Sequence, residues 1–234
     1  PMLKRVFVAV MAMTVAACAS PYVATPYDRS AGAVQSIALV DDSVPEKAIA
    51  YEVASVGGNF GLIGALVDAG IQAERQGAVN EALNGLDFDA ESKLEARVIA
   101  ALGEQGYTAA PLDGVDRPKR DFLETYPEAP AGVDGYLDIA IVQYGYMSSG
   151  AGQPFRPTVW AKVKLVKVSD GSALMENIIL YNPLNAAEGV ITLPPNPDYA
   201  FKNRSELLED PSRLAAGIED ALNQVADTAA QLLR

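Results

Sequence analysis

The sequence predicts an α+β fold: a mostly antiparallel sheet of about four to five strands, packed by two or three helices, with a Gly/Ala-rich helical insertion after the first strand. Three observations carry this. Thr158 to Val168 alternates, with Val159, Ala161, Val163 and Leu165 on one side and Lys162 and Lys164 on the other, the period of a strand with one buried and one wet face. Ser169-Asp170-Gly171-Ser172 follows, and Asp-Gly supplies the positive φ of a tight hairpin into a partner strand, Ala173 to Asn182. Asp87 to Leu102 and Asp210 to Leu232 each repeat apolar residues at three and four positions, the stripe of a helix that lies on a sheet.

In chain order, Ser36-Ile37-Ala38-Leu39-Val40-Asp41-Asp42 reads as a first buried strand that ends in two carboxylates at a solvated turn, with a metal-binding strand end as the other reading. The helix from Asp87 is capped by Asp87 or Asp89, carries Leu94, Val98 and Leu102 on one face, and stops at Gly103 and Gly106. Asp87, Asp89 and Glu91 alternate like a calcium loop. They run straight into the helix, without the glycine turn and distal glutamate of an EF-hand, so capping is the reading taken. Tyr107 to Leu112 is a short strand. Asp113 to Val133 is an irregular connection whose basic cluster, Arg117-Pro118-Lys119-Arg120, is either a docking spot or a solvated loop.

Tyr136 to Tyr146 is the next strand. Tyr136, Tyr144, Tyr146 and Trp160 are core aromatics or the lining of a groove. Asn182 to Glu209 is a long, proline-bearing connection, a length associated with functional loops. The last helix has Asp210 as cap, Pro211 at its first position, and Leu214, Ile218, Leu222, Val225, Ala229 and Leu232 in one stripe that packs on the sheet.

The insertion spans residues 51–83. Gly57, Gly61, Ala65, Ala69, Ala73 and Gly77 put a small residue at every fourth position, a face on which another backbone can approach closely. Each helical glycine costs roughly 1 kcal/mol relative to alanine, so the run needs a packing reason or is a broken helix. These six residues are a possible contact segment for a membrane, a partner or the domain itself. The uncharged run Val53 to Val67 is shorter than the roughly 20 residues of a spanning helix, and the glycines do not form a phosphate-binding loop.

The composition narrows the chemistry. The net charge is −12, which disfavours nucleic acid and anionic headgroups as partners. There is no histidine and one cysteine, Cys18, so histidine-based catalysis, ordinary zinc or copper sites and disulfides fall away; the expectation is no enzyme activity, no metal and no cofactor. Half of the residues are hydrophobic (50%), enough for a packed core without staples.

Lys4 and Arg5 precede an uncharged run, Val6 to Ala17, that closes on small residues, the pattern of a secretory signal over residues 1–17. Val15-Ala16-Ala17-Cys18 resembles the lipobox of bacterial lipoproteins. The resemblance implies that Cys18 is diacylated and becomes the new N-terminus, and Ala19, in place of aspartate, implies outer-membrane anchoring on the periplasmic face. Residues 18–35, with Pro21, Pro26 and Gly32, then serve as a lipidated N-terminus and flexible spacer before one α/β domain over 36–234.

The stretch "AKVKLVKVSDGSALMENIILYN" and the order of elements resemble the small α/β domain of envelope accessory lipoproteins, of the CsgG curli-secretion, LpoB penicillin-binding-protein activator and TolB N-terminal types. LptE-like and ABC-transport auxiliary lipoproteins share a similar order. The resemblance implies a non-enzymatic accessory, assembly or oligomerisation component of an envelope complex, partnered by an envelope protein or its own copies and by the membrane through its anchor. The alternative is a lipid- or glycan-binding carrier or transport auxiliary with an apolar groove between sheet and helices.

Overall fold

The computed structural model describes residues 22–30, 32–53, 61–186 and 188–234, with the backbone alone for 61–72. Its elements are β1 (Ser36–Val40), β2 (Ile49–Glu52), α1 (Gly61–Asn84), α2 (Ala90–Glu104), β3 (Thr108–Leu112), β4 (Gly135–Ser148), β5 (Phe155–Lys167), β6 (Ala173–Tyr181), β7 (Ile191–Leu193), α3 (Arg204–Glu209) and α4 (Pro211–Gln231). The signal and lipobox, with Cys18, lie outside the described residues, as does Gly57.

The fold is mixed α/β, and it corrects the expected sheet. One seven-stranded sheet has the order β3-β1-β4-β5-β6-β7, with β2 also paired to β4. Only β4-β5 and β5-β6 are antiparallel; β1-β3, β1-β4, β2-β4 and β6-β7 are parallel. Helices α1 and α2 lie between β1 and its parallel neighbours β3 and β4, and a parallel strand covered on both faces shows no alternation. β1 illustrates this. Its Ile37 and Leu39 join the main core and its Ala38 and Val40 a second cluster on the opposite face.

β4 organises the sheet. Its start pairs β1 at Ile37↔Gly135 and its end pairs β2 at Ala50↔Tyr146, so one long strand carries two short ones along one edge. Its register against β5 shifts between Ile141 and Gln143, which leaves Val142 as a bulge. Before the bulge Leu137, Ile139 and Ile141 face the helices. After it Tyr144 and Tyr146 do, opposite Val159 and Pro157 of β5.

α2 and α4 cover one face. Leu94, Val98 and Leu102 of α2, and Leu214, Ile218, Leu222, Val225 and Ala229 of α4, are buried against it. Asp89 caps α2 by accepting from Ser92 N at 3.1 Å, and Asp210 caps α4 by accepting from Arg213 N at 3.0 Å with Pro211 in the first turn. The hairpin forms at Gly171, φ +70°. The connection from Asn182 to Glu209 holds β7, a short 3-10 turn (Pro197–Tyr199) and α3, none of which has a periodic sequence pattern. Among the described residues no helix is long and apolar enough to cross a membrane.

Among the described residues no helix lies across the other face of the sheet, and only Gln76 of α1 reaches its β2 edge. The connection 113–133 covers the half nearest β1, packing Leu123, Tyr126, Ala129 and Val133 over Ala38, Val40, Tyr136 and Val166. Tyr126 stacks on Tyr136 with ring centroids 4.9 Å apart. The half toward β6 and β7 has no such cover among the described residues.

Candidate functional site: an apolar groove on the open sheet face

On β5, the residues on the helix-free face are Arg156, Thr158, Trp160, Lys162 and Lys164, by alternation from the buried Val159, Ala161 and Val163. Lys162 and Lys164 lie at the edge of the 113–133 connection: Lys162 pairs with Asp121 at 3.0 Å, and Lys164 Nζ sits 4.1 Å from the Phe122 ring centroid. Trp160 has no such cover and is 38% exposed. Its cross-strand neighbours are Gln143 on β4 and Leu180 on β6, with Ile178 opposite Lys162. These side chains floor a groove of about 470 Å³, within the range of ligand-binding clefts.

Tyr22 stands on one side of the groove and Pro183, Leu184, Asn185 and Val190 on another. The groove continues past Gln143 and Met147 into a smaller recess of about 240 Å³ lined by Ile49, Tyr51 and Gln76. None of the described residues lining either part is charged; hydroxyl and amide groups supply the polarity. Of the five large apolar side chains exposed among the described residues, Tyr51, Trp160 and Leu184 line this surface and Val23 follows Tyr22. Clustering of that kind marks an interaction surface, whereas single exposed apolar residues do not.

The Tyr22 wall is fixed in place. Thr25 forms an antiparallel bridge with Glu176 of β6, N–H to carbonyl in both directions at 2.8 and 2.9 Å, and Tyr22 donates its hydroxyl to the Glu176 carbonyl at 3.3 Å. Burial first, and then the nearby Glu176 charge, push the Tyr22 hydroxyl above its ordinary pKa. Across from it Gly189, φ +83°, approaches the Tyr22 carbonyl so closely that a Cβ would stand 3.1 Å away. Thus 22–25, expected as a flexible spacer, is a strap on the sheet.

The other residues singled out in the sequence serve structure. Glu91 accepts from Ser43 N at 2.9 Å and Val44 N at 2.6 Å, so it closes the loop after β1 in place of a calcium loop. Desolvation raises its pKa against those two hydrogen bonds. Asp41 and Asp42 do not end in solvent as expected: Asp41 accepts from Gly114 N, and Asp42, φ +55°, accepts from Arg117 N and Arg120. No group of three or more acidic or cysteine side chains among the described residues is arranged to hold a metal ion.

The basic cluster is a solvated loop only in part: Pro118 and Lys119 are exposed, whereas Arg117 and Arg120 turn inward. Arg117 is a buried pin: its Nη2 lies 2.8 Å from Oδ1 of Asp138, with side-chain exposures of 1% and 0%. Oδ1 has this ion-pair contact without an aligned hydrogen bond, while Oδ2 accepts from Leu123 N and Tyr126 OH, both at 2.9 Å. Asp138, one acid inside the apolar run Tyr136 to Val142, was the available sequence signal for a buried partner.

Of the small-residue series, Gly61, Ala65, Ala69, Ala73 and Gly77 fall in α1, and Ala73 and Gly77 are exposed. A Cβ at Gly77 would meet nothing within 4 Å, so among the described residues no backbone packs closely there. Tyr136, Tyr144 and Tyr146 are core residues, and Trp160 alone of the four named aromatics lines the groove.

The sequence matches no family model. No curated protein matches it. Among solved structures it is similar to a protein from Xanthomonas campestris described by the family model DUF330, at 22% identity and a TM-score of 0.34 over 59% of this chain. The chain spans 57% of the length of that protein's chain.

Proposed function

We propose that this is an outer-membrane-anchored periplasmic lipoprotein, a non-enzymatic accessory component of an envelope complex, whose working surface is the open half of its sheet. The observation that carries the reading is the groove: an uncharged, largely apolar recess around an exposed tryptophan. Its polar groups are amides and hydroxyls, suited to orienting a ligand rather than to acid, base or metal chemistry. Lipidation at Cys18 supplies the location.

A second reading, the lipid or glycan carrier, is favoured by the same floor of Trp160, Ile178 and Leu180. It places the groove on the helix-free face rather than between sheet and helices. Aliphatic residues beside the indole suit acyl chains better than sugars, which need several directed hydrogen bonds.

The test is in-cell crosslinking and affinity recovery of the wild type and of Leu180→Asp, with protein and lipid both identified. The accessory reading expects a defined envelope protein or the chain itself with the wild type and its loss with the variant. Recovery of lipid alone from the wild type transfers the assignment to the carrier, and an identical profile for both proteins refutes the groove as the working surface.

A further inference from the structure

We infer that the open half of the sheet is the membrane-facing side of the protein, and that acyl chains at a zwitterionic bilayer surface fill the groove around Trp160. The inference rests on the reading of Cys18 as the lipidated residue and adds an orientation; it assigns the groove to lipid, the occupant of the carrier reading, in place of an envelope protein.

The argument starts from chain length. Three residues separate Cys18 from Tyr22. Four steps of extended chain reach at most about 14 Å. Tyr22 is a wall of the groove, and its strap is bridged to β6 at Thr25. A lipid on Cys18 therefore enters the bilayer within about 14 Å of the groove, whatever path the intervening residues take. A tether that short, attached at the groove's own rim, holds that rim at the surface at high effective concentration.

The chemistry of the face fits the place. Trp160, Tyr51 and Tyr22 are the amphipathic rings that settle at the headgroup level, and Leu184 and Val23 are exposed aliphatics beside them. With no charged side chain among its described lining, the groove asks for no desolvation of an ion when lipid covers it. The net charge of −12 selects the headgroups: an anionic surface would repel the chain and a zwitterionic one would not. Trp160 is the single tryptophan, so its fluorescence reports this surface alone.

The exported protein, recovered from cells and checked by intact mass for the Cys18 lipid, is reconstituted into phosphatidylcholine vesicles with either ordinary or brominated acyl chains. Brominated chains are expected to reduce Trp160 emission by about twofold or more and the ordinary ones to shift it to the blue, as for an indole at the interface. Leu180→Asp, which still sediments with the vesicles through its anchor, is expected to lose both effects. Emission that stays solvent-like and unquenched in a sedimenting wild type overturns the orientation while leaving lipidation intact. If intact mass shows Cys18 unmodified, the anchored reading fails by itself, and the face is tested with the Cys18 thiol coupled to a maleimide lipid in the same vesicles. Quenching there upholds the surface, and its absence overturns it.

Discussion

Replacing Arg117 by methionine separates a structural pin from a surface loop. At 2.8 Å and an effective dielectric constant near 20, the gross attraction between Arg117 and Asp138 is about 6 kcal/mol. Desolvating the two ions costs several kcal/mol each, so the pair as a whole adds little net stability. Removing one partner is different. The Asp138 carboxylate stays buried, held by Leu123 N and Tyr126 OH on Oδ2, with Oδ1 left facing an apolar methionine. The guanidinium also donates to the Asp121 carbonyl at 2.6 Å and the Asp42 carbonyl at 2.9 Å; the first loses this donor and the second keeps Arg120 Nη1 at 3.1 Å. The expected cost is about 3–5 kcal/mol. Equilibrium urea denaturation followed by circular dichroism reads this as a midpoint lowered by about 1–2 M. The 113–133 connection is expected to loosen before the rest, with faster amide exchange at Leu123 and a dye-binding apolar patch over Ala38, Val40 and Tyr136. A cost below about 1 kcal/mol, or unchanged exchange at Leu123, refutes the pin and returns the cluster to the surface.

Three further outcomes follow from the same geometry. Gly145→Ala places a Cβ 2.2 Å from the Ile49 carbonyl oxygen at φ +136°, so β2 must leave β4; a loss of about 3 kcal/mol or more is expected by denaturation, with the 240 Å³ recess disrupted. Asp89→Ala removes the α2 cap and costs about 1 kcal/mol at pH 7. The hydrogen bonds from Ser92 hold the Asp89 pKa below its ordinary value, so its contribution is present above that value and is lost as pH falls through the lowered one; the gap between wild type and variant narrows in acid. Glu91 runs the opposite way. Its pKa is raised by desolvation, so the folded state binds more protons just above the ordinary carboxylate range, and stability falls as pH rises through that window. Denaturation series between pH 4 and 7 are expected to show a shallower fall for Glu91→Gln than for the wild type, and an equal slope would refute the assignment.

Parts of the fold with one-sided burial were legible. β5, its Asp-Gly hairpin into β6, α2 with its aspartate cap and α4 with its Asp-Pro start all stand where alternation, turn chemistry and apolar stripes put them. β1 was legible as a strand, but its parallel neighbours were not, because Ile37 to Val40 is apolar on both faces and carries no direction. β2 and β7 have four and three residues, too few for any period, and each is a strand only because a longer neighbour offers it an edge. The bulge at Val142 left no mark in an apolar run, yet it brings Gln143 and Met147 to the groove. The groove itself was legible only through Trp160. Its floor comes from three strands and its walls from Tyr22 and from residues 183–190, segments far apart in sequence and without motif.

The position of Trp160 argues that the open half is kept open for use. Lys162 and Lys164 stand two and four residues further along the same strand, on the same face, and are charged. A lysine therefore fits the helix-free face of β5 and can bridge to a neighbouring acid, as Lys162 does to Asp121 and Lys164 to Glu176. The covered half of the sheet, which needs apolar residues for its second cluster, accommodates those charges at its edge. The uncovered half, which a solvent-facing sheet would furnish with polar residues, instead presents Trp160, Ile178 and Leu180. Among the described residues Tyr22 and 183–190 wall these side chains and no helix covers them, so the described packing does not account for that inversion. The apolar floor is what the proposed lipid contact expects, and the strap from Thr25 to Tyr22, bridged to β6, walls one side of it.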